Sequence, residues 1–366
     1  MLIMLIDVDT PSLIVNLNQM EQNIVNMAEK AKKAGISLRP HIKTHKSPKI
    51  ALRQIQAGAD GITVAKLGEG EVMVGHGIKD ILIAYPIVGA KKLARLEKLA
   101  NKADVKVSLD SVEVARGISE VGQRIGKTMK VYIEVDTGLG RVGRAHGEET
   151  VELIESVAKL PNIVVYGLMT HAGQSYKSET LDDMAKVARQ EGHFLVLTKE
   201  LVKQRLGIDI PVISVGSTPT SYIGGQVEGV NEMRPGTYVF NDATMCSLGL
   251  VEPSECALTI YSTVVSRPSP DRVIIDAGSK TLSSDKGMYT KGHGFLKENP
   301  DIFVSWLSEE HGVIYLPEGY SLNIGDVLEI IPNHVCPTVN LADDLIGVRD
   351  GEITEIIEIS ARGKNK

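Results

Sequence analysis

Through its first 240 residues the chain alternates short apolar segments with amphipathic segments, and this alternation constrains its fold more than any other feature. We predict strands near residues 36–40, 61–65, 80–85, 104–109, 130–135, 163–169, 212–215 and 236–240. Helix-like segments lie between them at 67–75, 89–101, 111–124, 147–159 and 178–206. Eight strands with intervening helices in about 230 residues match the size of a (β/α)8 barrel. A doubly wound sheet is the alternative.

Polar or glycine-rich residues follow nearly every predicted strand, which favours the barrel over the doubly wound sheet. In such barrels the carboxyl ends of the strands build the active site. We therefore predict an α/β fold in which a TIM-type (β/α)8 barrel spans residues 10–245 and carries its chemistry at one end. The residues at the predicted strand ends are His41 and Lys43, Lys66, Tyr85, Asp110, Asp136 and Arg141, His171, Ser217 and Thr218, and Arg234 and Tyr238.

The segment ahead of the first predicted barrel strand has a clear helical pattern over residues 18–35. Its apolar residues recur at helical spacing, which predicts one buried face. Asn18 and Glu21 have the spacing of a capping box, and Gly35 suits the C-terminal end of the helix.

After about residue 245 the helical pattern fades and turn residues separate short β-rich segments. We predict a mainly antiparallel β domain over residues 246–366, joined by a strand at residues 1–9. The polar, glycine-rich segment 280–300 is predicted to be a loop. The β-rich segments are 257–267, 271–276, 312–316, 326–331 and 353–360.

Composition narrows the class of protein. The 366 residues are 43% apolar and 23% charged with a formal net charge of −6, which argues against a nucleic-acid partner. No apolar run reaches the roughly 18 residues of a membrane span, and the six apolar residues at the start are too short for a signal peptide. Three cysteines leave an odd number and no disulfide framework. We expect a cytoplasmic enzyme.

Basic residues crowd the end of the first predicted barrel strand, in the segment from Arg39 to Lys49. Desolvation and cationic neighbours lower the pKa of a lysine, and a neutral amine can form a Schiff base. One lysine could therefore point inward as a nucleophile or base. A solvated basic loop explains the same residues, so both interpretations remain open.

Two kinds of glycine-rich segment could bind anions. The segments 215–220 and 234–238 offer backbone N–H groups and hydroxyls for a phosphate, although two ordinary turns would look the same. In the loop 136–144, Arg141 and Arg144 suit a carboxylate, phosphate or phenolate oxygen. Arg141 is the better candidate because its glycine neighbours allow close approach.

His334 and Cys336 are two residues apart on a segment predicted to be extended, so they should share one face. Imidazole and thiolate together are a donor set that zinc prefers. Two ligands do not close a structural site, so a metal here would need further ligands or keep an open position. A buried free cysteine and a core histidine are the alternatives.

Other polar residues have weaker signals. His171 ends a predicted strand and could act as an acid or base. For Asp276 and His311 we favour a structural role.

Taken in order, several motifs resemble the D-threonine aldolase and D-serine dehydratase family, whose fold is that of alanine racemase. The resemblance spans nearly the whole chain, and the ordered set is more specific than any single motif. The matching segments are 9–13, 39–46, 136–144, 170–173, 216–220, 234–240, 309–312 and 332–338.

The resemblance implies pyridoxal 5′-phosphate bound to the barrel (fold type III), with the active site completed at a homodimer interface. Lys43 would be the Schiff-base residue and Arg141 would lie near the ring oxygen of the cofactor. His334 and Cys336 match the family's divalent-metal pair, with zinc favoured and manganese or magnesium as alternatives. The residues implied to hold the phosphate are Gly216, Ser217, Thr218, Gly236 and Tyr238. Arg234 departs from this pattern. Alanine racemases carry an arginine there that faces the pyridine nitrogen, and we expect other residues there in many aldolases and dehydratases.

The resemblance further implies a lyase whose small-molecule substrate is a D-amino acid with a β-hydroxyl group. If Lys43 takes the α-proton, β-elimination follows, as in D-serine dehydratase. If His171 takes the β-hydroxyl proton, retro-aldol cleavage follows, as in D-threonine aldolase. The His-x-Cys pair resembles the dehydratase pattern and tips the choice slightly toward elimination. A pyridoxal-phosphate-dependent racemase of the same fold is the alternative, and a non-catalytic vitamin B6 binding protein is a third reading.

Overall fold

A computed structural model describes residues 8–223 and 227–366 of the chain. The strand predicted at residues 1–9 lies mostly outside the described residues. Contacts between Cα atoms divide the chain into a barrel unit, made of Ala28–Lys43, Ile50–Gly236 and Gly363–Lys366, and a β unit, made of the residues up to Met27, Thr44–Lys49 and Thr237–Arg362. No helix in residues 8–223 and 227–366 is long and apolar enough to cross a lipid bilayer.

The described chain opens with strand β1 (Ser12–Asn16) and helix α1 (Leu17–Ala34). Gly35 ends the helix with φ +66°, as predicted. The predicted N-terminal cap is wrong, because the side chain of Asn16, not Asn18, accepts a hydrogen bond from the first turn at 3.0 Å. Asn18 and Glu21 instead bind the guanidinium of Arg349. Arg349, which is distant in the sequence, thus binds the two side chains that the spacing predicted to cap the helix.

Strands and helices alternate through the barrel unit, as the sequence predicts. The strands are β2 (Ser37–Leu38), β3 (Ile62–Val64), β4 (Asp80–Ile83), β5 (Asp104–Leu109), β6 (Met129–Asp136), β7 (Arg144–Ala145), β8 (Ile163–Met169), β9 (Val212–Val215) and β10 (Glu232–Met233). The helices are α2 (Pro48–Gln56), α3 (Leu67–Gly75), α4 (Ala90–Ala100), α5 (Val112–Ile125), α6 (Glu148–Ala158), α7 (Leu181–Leu206) and α8 (Thr218–Ile223). Helices α2 and α8 were not predicted.

Eight of these strands form one parallel sheet in the order β2-β10-β9-β8-β6-β5-β4-β3, and β7 pairs with the end of β6. A backbone bridge between His41 and Thr63 joins the two ends of the sheet, so the predicted barrel is confirmed. The eighth strand was misplaced: β10 lies before the predicted 236–240, and Thr237–Val239 form a 3₁₀ turn. Pro235 has no N–H to donate to a neighbouring strand, which ends the pairing there.

The inside of the barrel holds a buried network of charges. The Nε of Arg39 donates to Glu232 at 2.8 Å, and its Nη1 also donates to Asp80. The Nζ of Lys106 donates to Asp80 at 2.6 Å. Arg39, Glu232 and Lys106 are buried, and such charges are tolerated because each has an oppositely charged partner. Arg39, the first residue of the basic segment, therefore has a structural role.

The β unit forms a second sheet, in the order β12-β15-β14-β13-β16-β11-β1-β17-β18, with an additional pairing of β12 with β11. Its further strands are β11 (Leu258–Ser269), β12 (Arg272–Ile275), β13 (Gly294–Leu296), β14 (Asn299–Leu307), β15 (Gly312–Tyr315), β16 (Val327–Pro332), β17 (Asp344–Arg349) and β18 (Glu352–Glu358). Its further helices are α9 (Ala243–Ser247), α10 (Ser279–Leu282) and α11 (Val335–Leu341).

The predicted antiparallel β domain is confirmed, since the pairings of the described strands are antiparallel apart from that of β1 with β17. The loop predicted at 280–300 is partly wrong, because β13 and α10 fall within or overlap that segment. Glycine content misled the prediction there: Gly294 has φ +138°, and a Cβ on it would lie 2.7 Å from the carbonyl oxygen of Ile331, so a glycine is needed inside the strand pairing.

Candidate active site

Lys43 lies just beyond the first barrel strand, in the 3₁₀ turn Ile42–Thr44. The turn is anchored by its neighbour His41, whose backbone N–H donates to Pro235 O at 2.9 Å. The side chain of Lys43 is half-buried, whereas Ile42 and Thr44 are buried. This position at the carboxyl end of a barrel strand is the one that (β/α)8 enzymes use for chemistry.

The other lysines considered for the same role are held elsewhere. Lys49 forms an ion pair with Glu355 in the β unit. The Nζ of Lys66 lies 3.4 Å from the ring centroid of Tyr85. Lys46 is buried and also belongs to the β unit. Lys43 is therefore the lysine that the structure leaves at the end of the barrel together with the predicted histidine and arginine.

Several cations and imidazoles converge around Lys43. Burial, then the charge of Lys43, then Arg141 and Arg234 lower the pKa of His171 to about 3, against a hydrogen bond that raises it. Burial, then Lys43, also lowers the pKa of His41 well below its usual value. Both imidazoles are therefore neutral at physiological pH. The burial and the cations that keep these imidazoles neutral also make them weak bases.

The tautomer of His171 follows from one hydrogen bond. Its Nδ1 lies 2.8 Å from the carbonyl oxygen of Gly216, which can only accept, so Nδ1 carries the proton. The lone pair is then on Nε2. The acceptor atom of His171 is therefore Nε2, and its acid–base role stays a prediction.

The loop after β6 is shaped by a single carboxylate. The backbone N–H groups of Gly138, Leu139 and Gly140 donate to Asp136 at 2.9–3.1 Å. Although partial burial opposes it, these bonds lower the pKa of Asp136. The loop is therefore ordered, and its arginines are presented from a defined backbone.

The two arginines of this loop have different roles. Arg144 donates from Nε to the carbonyl oxygen of Asp110 at 3.0 Å and so stabilises the loop. Arg141 is 52% exposed, and its Nη2 lies 3.7 Å from Glu134 Oε1. Burial raises the pKa of Glu134, and Arg141 and Arg234 oppose that rise. The binding of an anionic ligand by Arg141 stays a prediction.

The predicted phosphate turn is closely packed. Gly216 has φ +154°, and a Cβ on it would lie 2.9 Å from the backbone N of Arg234, so no other residue fits here. Ser217 Oγ lies 3.1 Å from Thr220 Oγ1. The N–H of Gly236 donates to Thr218 Oγ1 at 3.1 Å, which joins the two predicted turns.

Two residues at this turn were missed by the sequence reasoning. Ser175 Oγ lies 3.0 Å from Ser217 Oγ, and no sequence pattern marks it. Glu191 Oε2 accepts the N–H of Gly216 at 3.4 Å. Glu191 did carry a signal, since it is an acid on the otherwise apolar, buried face of α7, with Ala188 and Leu195.

Arg234 and Tyr238 complete the predicted set at this end of the chain. The guanidinium of Arg234 is buried and donates to Ser214 Oγ and to the carbonyl oxygen of Thr170. Its hydrogen bonds thus lie within the barrel wall. Tyr238 is fully buried in the 3₁₀ turn of the β unit.

In the β unit, His334 and Cys336 do meet, but the predicted extended geometry is wrong. His334 is the N-cap of α11, and Cys336 belongs to the first helical turn. Burial opposes protonation of His334, but Cys336, Asp242 and Asp285 outweigh it and raise its pKa to about 10. His334 is therefore protonated in this structure and hydrogen-bonded to Cys336.

Two carboxylates support this pair. Asp285 Oδ2 lies 2.9 Å from His334 Nδ1, which leaves Nε2 as the nitrogen for a metal. Asp242 accepts from the backbone N–H groups of Met245 and Val335, each at 3.1 Å, and so connects α9 to the start of α11. A histidine held by a carboxylate beside a cysteine is a donor arrangement that suits zinc.

The donor set is small. Within residues 8–223 and 227–366, no group of three or more His, Cys, Asp or Glu side chains is arranged to hold a metal ion. The hydroxyl of Thr44 lies 3.2 Å from Cys336 Sγ.

Comparisons with known proteins match both units. The family "Alanine racemase, N-terminal domain" matches residues 15–244, and the "Putative serine dehydratase domain" matches residues 257–348. A D-threonine aldolase of Arthrobacter sp is 35% identical over 359 residues, covering 97% of this chain and 93% of the relative. A D-threo-3-hydroxyaspartate dehydratase of Delftia sp. (strain HT23) is 32% identical, covering 91% of this chain and 92% of the relative.

Solved structures agree with these matches. The crystal structure of D-threonine aldolase from Filomicrobium marinum superimposes with a TM-score of 0.92 at 33% identity, covering 100% of this chain and 99% of the other. A cysteine-to-alanine mutant of D-threo-3-hydroxyaspartate dehydratase "in the metal-free form" superimposes with a TM-score of 0.89 at 30% identity, covering 97% and 98%. The chain therefore belongs to the alanine racemase-like family of D-threonine aldolase and D-serine dehydratase.

Proposed function

We propose that this chain is a lyase that acts on D-β-hydroxy-α-amino acids and depends on pyridoxal 5′-phosphate and a divalent metal. The observation that carries the proposal is the cluster at the end of the barrel, where Lys43, Arg141 and two neutral imidazoles converge. Two of the relatives are named for substrates of this class: a D-threonine aldolase and a D-threo-3-hydroxyaspartate dehydratase.

The residues of the barrel end fit the cofactor. Lys43 supplies a primary amine, and Arg141 supplies a half-exposed cation for an anionic ring oxygen. Gly216 has no Cβ, which lets the backbone of Arg234 pack against it and brings the two predicted turns together. We assign the phosphate to Gly216, Ser217, Thr218, Gly236 and Tyr238. When bound, pyridoxal 5′-phosphate withdraws electrons from the α-carbon of the amino acid.

The β unit fits a divalent metal, for which we propose His334 and Cys336 as the protein ligands. Zinc suits the nitrogen and sulfur donors best, with manganese or magnesium as alternatives. The metal would supply a Lewis acid for the β-hydroxyl oxygen of the substrate. The structure of a metal-free cysteine mutant of a relative supports a role for a cysteine in metal binding in this family.

Lys43 and His171 are the two side chains that we propose for the proton transfers. Lys43 would be the base that removes the α-proton. His171 is neutral, and its unprotonated Nε2 would take a proton from the β-hydroxyl. Removal of the α-proton would lead to loss of water, and hydrolysis by another water molecule would then give a keto acid and ammonia. Removal of the hydroxyl proton leads to cleavage of the Cα–Cβ bond, then glycine and an aldehyde.

The arrangement of the active molecule is part of the proposal. We assign residues 10–245 to the cofactor-binding domain and residues 246–366 to the metal-binding domain. The resemblance supports a cytoplasmic homodimer whose partner subunit completes the site. Light scattering of the purified chain should give twice the mass of one chain, 39.6 kDa. A monomer with full activity would contradict this assignment.

Turnover of a panel of β-hydroxy amino acids tests the function. D-serine, D-threonine and D-threo-3-hydroxyaspartate are compared with their L-enantiomers, with EDTA and after addition of zinc or manganese. We expect turnover of the D-series only, lost with EDTA and restored by metal. Keto acid or aldehyde as the product decides between elimination and cleavage. Metal-independent interconversion of D- and L-enantiomers without either product would instead show the alternative, a racemase of this fold.

A further inference from the structure

The buried carboxyl group of Glu191 is not used in the chemistry proposed above. It lies on α7 in the barrel unit and is 2% exposed. Beside it is a cavity of only ≈ 10 Å³, with walls that include Val215, Val230 and Met233. This volume holds about one water molecule, so the carboxyl has little access to solvent.

Both hydrogen-bond partners of Glu191 are neutral groups of the turn to which we assign the phosphate. Its Oε2 accepts the backbone N–H of Gly216 at 3.4 Å, and it shares a hydrogen bond with the side chain of Thr220. Thr220 Oγ1 in turn lies 3.1 Å from Ser217 Oγ. The acid therefore contacts the turn from the side of α7.

The protonation state of Glu191 matters for an anion on this turn. An ionised carboxylate would repel a phosphate dianion across a single layer of backbone. A neutral acid has no such charge, and it can donate to the hydroxyl of Thr220 while its other oxygen accepts the Gly216 N–H. Burial raises the pKa of Glu191 to about 7, against the two hydrogen bonds and Arg234, which is the charged group that faces it.

The same turn also positions the proposed base. The carbonyl oxygen of Gly216 accepts from His171 Nδ1 at 2.8 Å, so the two sides of one residue are held by Glu191 and His171. A shift of this backbone would move the anion site and the imidazole together.

We propose that Glu191 is a positioning residue that holds the Gly216–Thr220 turn as a neutral acid, so that binding of a phosphate group to this turn is coupled to retention or uptake of one proton. This inference rests on the proposed function, since it assumes that the turn binds the cofactor phosphate.

The test compares cofactor binding by the full-length apoprotein between pH 6 and pH 8.5. Wild type, Glu191→Gln and the matched control Glu200→Gln, an exposed acid on the same helix, are titrated with pyridoxal 5′-phosphate and with pyridoxal. The amide in Glu191→Gln is isosteric, keeps both hydrogen bonds and never ionises. Comparing variants at each pH cancels the titration of Lys43 and of the cofactor itself.

With a pKa of about 7, the dissociation constant of wild type relative to Glu191→Gln should rise from near equality at pH 6 to roughly thirtyfold at pH 8.5. Glu200→Gln should follow wild type, and pyridoxal should show no such rise. Calorimetry of wild type in two buffers of different ionisation enthalpy should also report more proton uptake for pyridoxal 5′-phosphate than for pyridoxal at pH 8.

The outcomes separate the two proposals. If all three proteins bind pyridoxal 5′-phosphate with the same pH profile, the role of Glu191 is overturned and the proposed function stands. The same rise with pyridoxal would also overturn it, because the phosphate would not be the group involved. Failure of wild type to bind pyridoxal 5′-phosphate at any pH would overturn the proposed function itself.

Discussion

Replacing Glu191 by glutamine is expected to stabilise the folded chain at alkaline pH and to leave its stability nearly unchanged in acid. In the folded chain burial raises the pKa of this carboxyl from its ordinary value of 4.5 to about 7. A raised carboxyl pKa means that ionisation is opposed by folding. The contribution of the protonated Glu191 carboxyl to the unfolding free energy is therefore fully present below pH 4.5 and is lost as the pH rises through 7.

The size of the effect follows from the two pKa values. At ~1.4 kcal/mol for each pKa unit, the wild type should lose about 3 kcal/mol of unfolding free energy between pH 4.5 and pH 8 relative to a protein without this group. This free energy is not reduced for solvent screening, because Glu191 is only 2% exposed. The glutamine amide escapes this loss because it cannot ionise, and it can accept from Gly216 and donate to Thr220.

Urea unfolding of the apoprotein at pH 5, 6, 7, 8 and 8.5 measures the difference directly. The free-energy difference between Glu191→Gln and wild type should grow across this series and level off above pH 7.5. Glu200→Gln serves as the control and should track wild type throughout. A difference that stays constant with pH would refute the reasoning, because it would show that folding does not raise the pKa of Glu191.

Three further predictions concern the proposed site. Lys43→Ala should abolish the visible absorbance of the cofactor-loaded protein, whereas the control Lys49→Ala should keep it; a retained band in Lys43→Ala would assign the cofactor to another lysine. Asp285→Asn should weaken metal binding about 10–100-fold in a competition assay with a chelator, because the histidine ligand loses the carboxylate on its Nδ1; unchanged affinity would remove Asp285 from the site. Gly216→Ala should lower cofactor affinity by more than about tenfold, because the new Cβ would lie 2.9 Å from the backbone N of Arg234 and must displace it; wild-type affinity on equilibrium dialysis would show that the turn does not bind the cofactor.

The overall fold was readable from the sequence because it depends on periodic patterns. Buried parallel strands appear as short apolar runs, and the helices that cover them carry an apolar stripe, so each element reports its own type. Seven of the eight barrel strands were predicted within two residues or so of their observed limits. The exception, β10, lies before Pro235, whereas the predicted segment falls on the 3₁₀ turn Thr237–Val239 after it.

The candidate site was partly readable for a different reason. Lys43, Arg141 and His171 follow strand ends, and in a parallel barrel all strand ends lie on one side. Their convergence therefore followed from the topology. The meeting of His334 with Cys336 was predicted with the wrong backbone, because the start of α11 depends on Asp242, a residue from a different helix.

Local sequence determined most of the strands and the longer helices of the barrel unit, because those preferences arise from neighbouring residues. Only the tertiary structure decided which polar groups bind one another. Arg349 binds Glu21, which the local spacing had assigned to a helix cap. Glu191 accepts a hydrogen bond from Gly216, 25 residues further along the chain. Such pairings depend on distances in space between residues far apart in sequence, and burial then sets their protonation by removing water from around them.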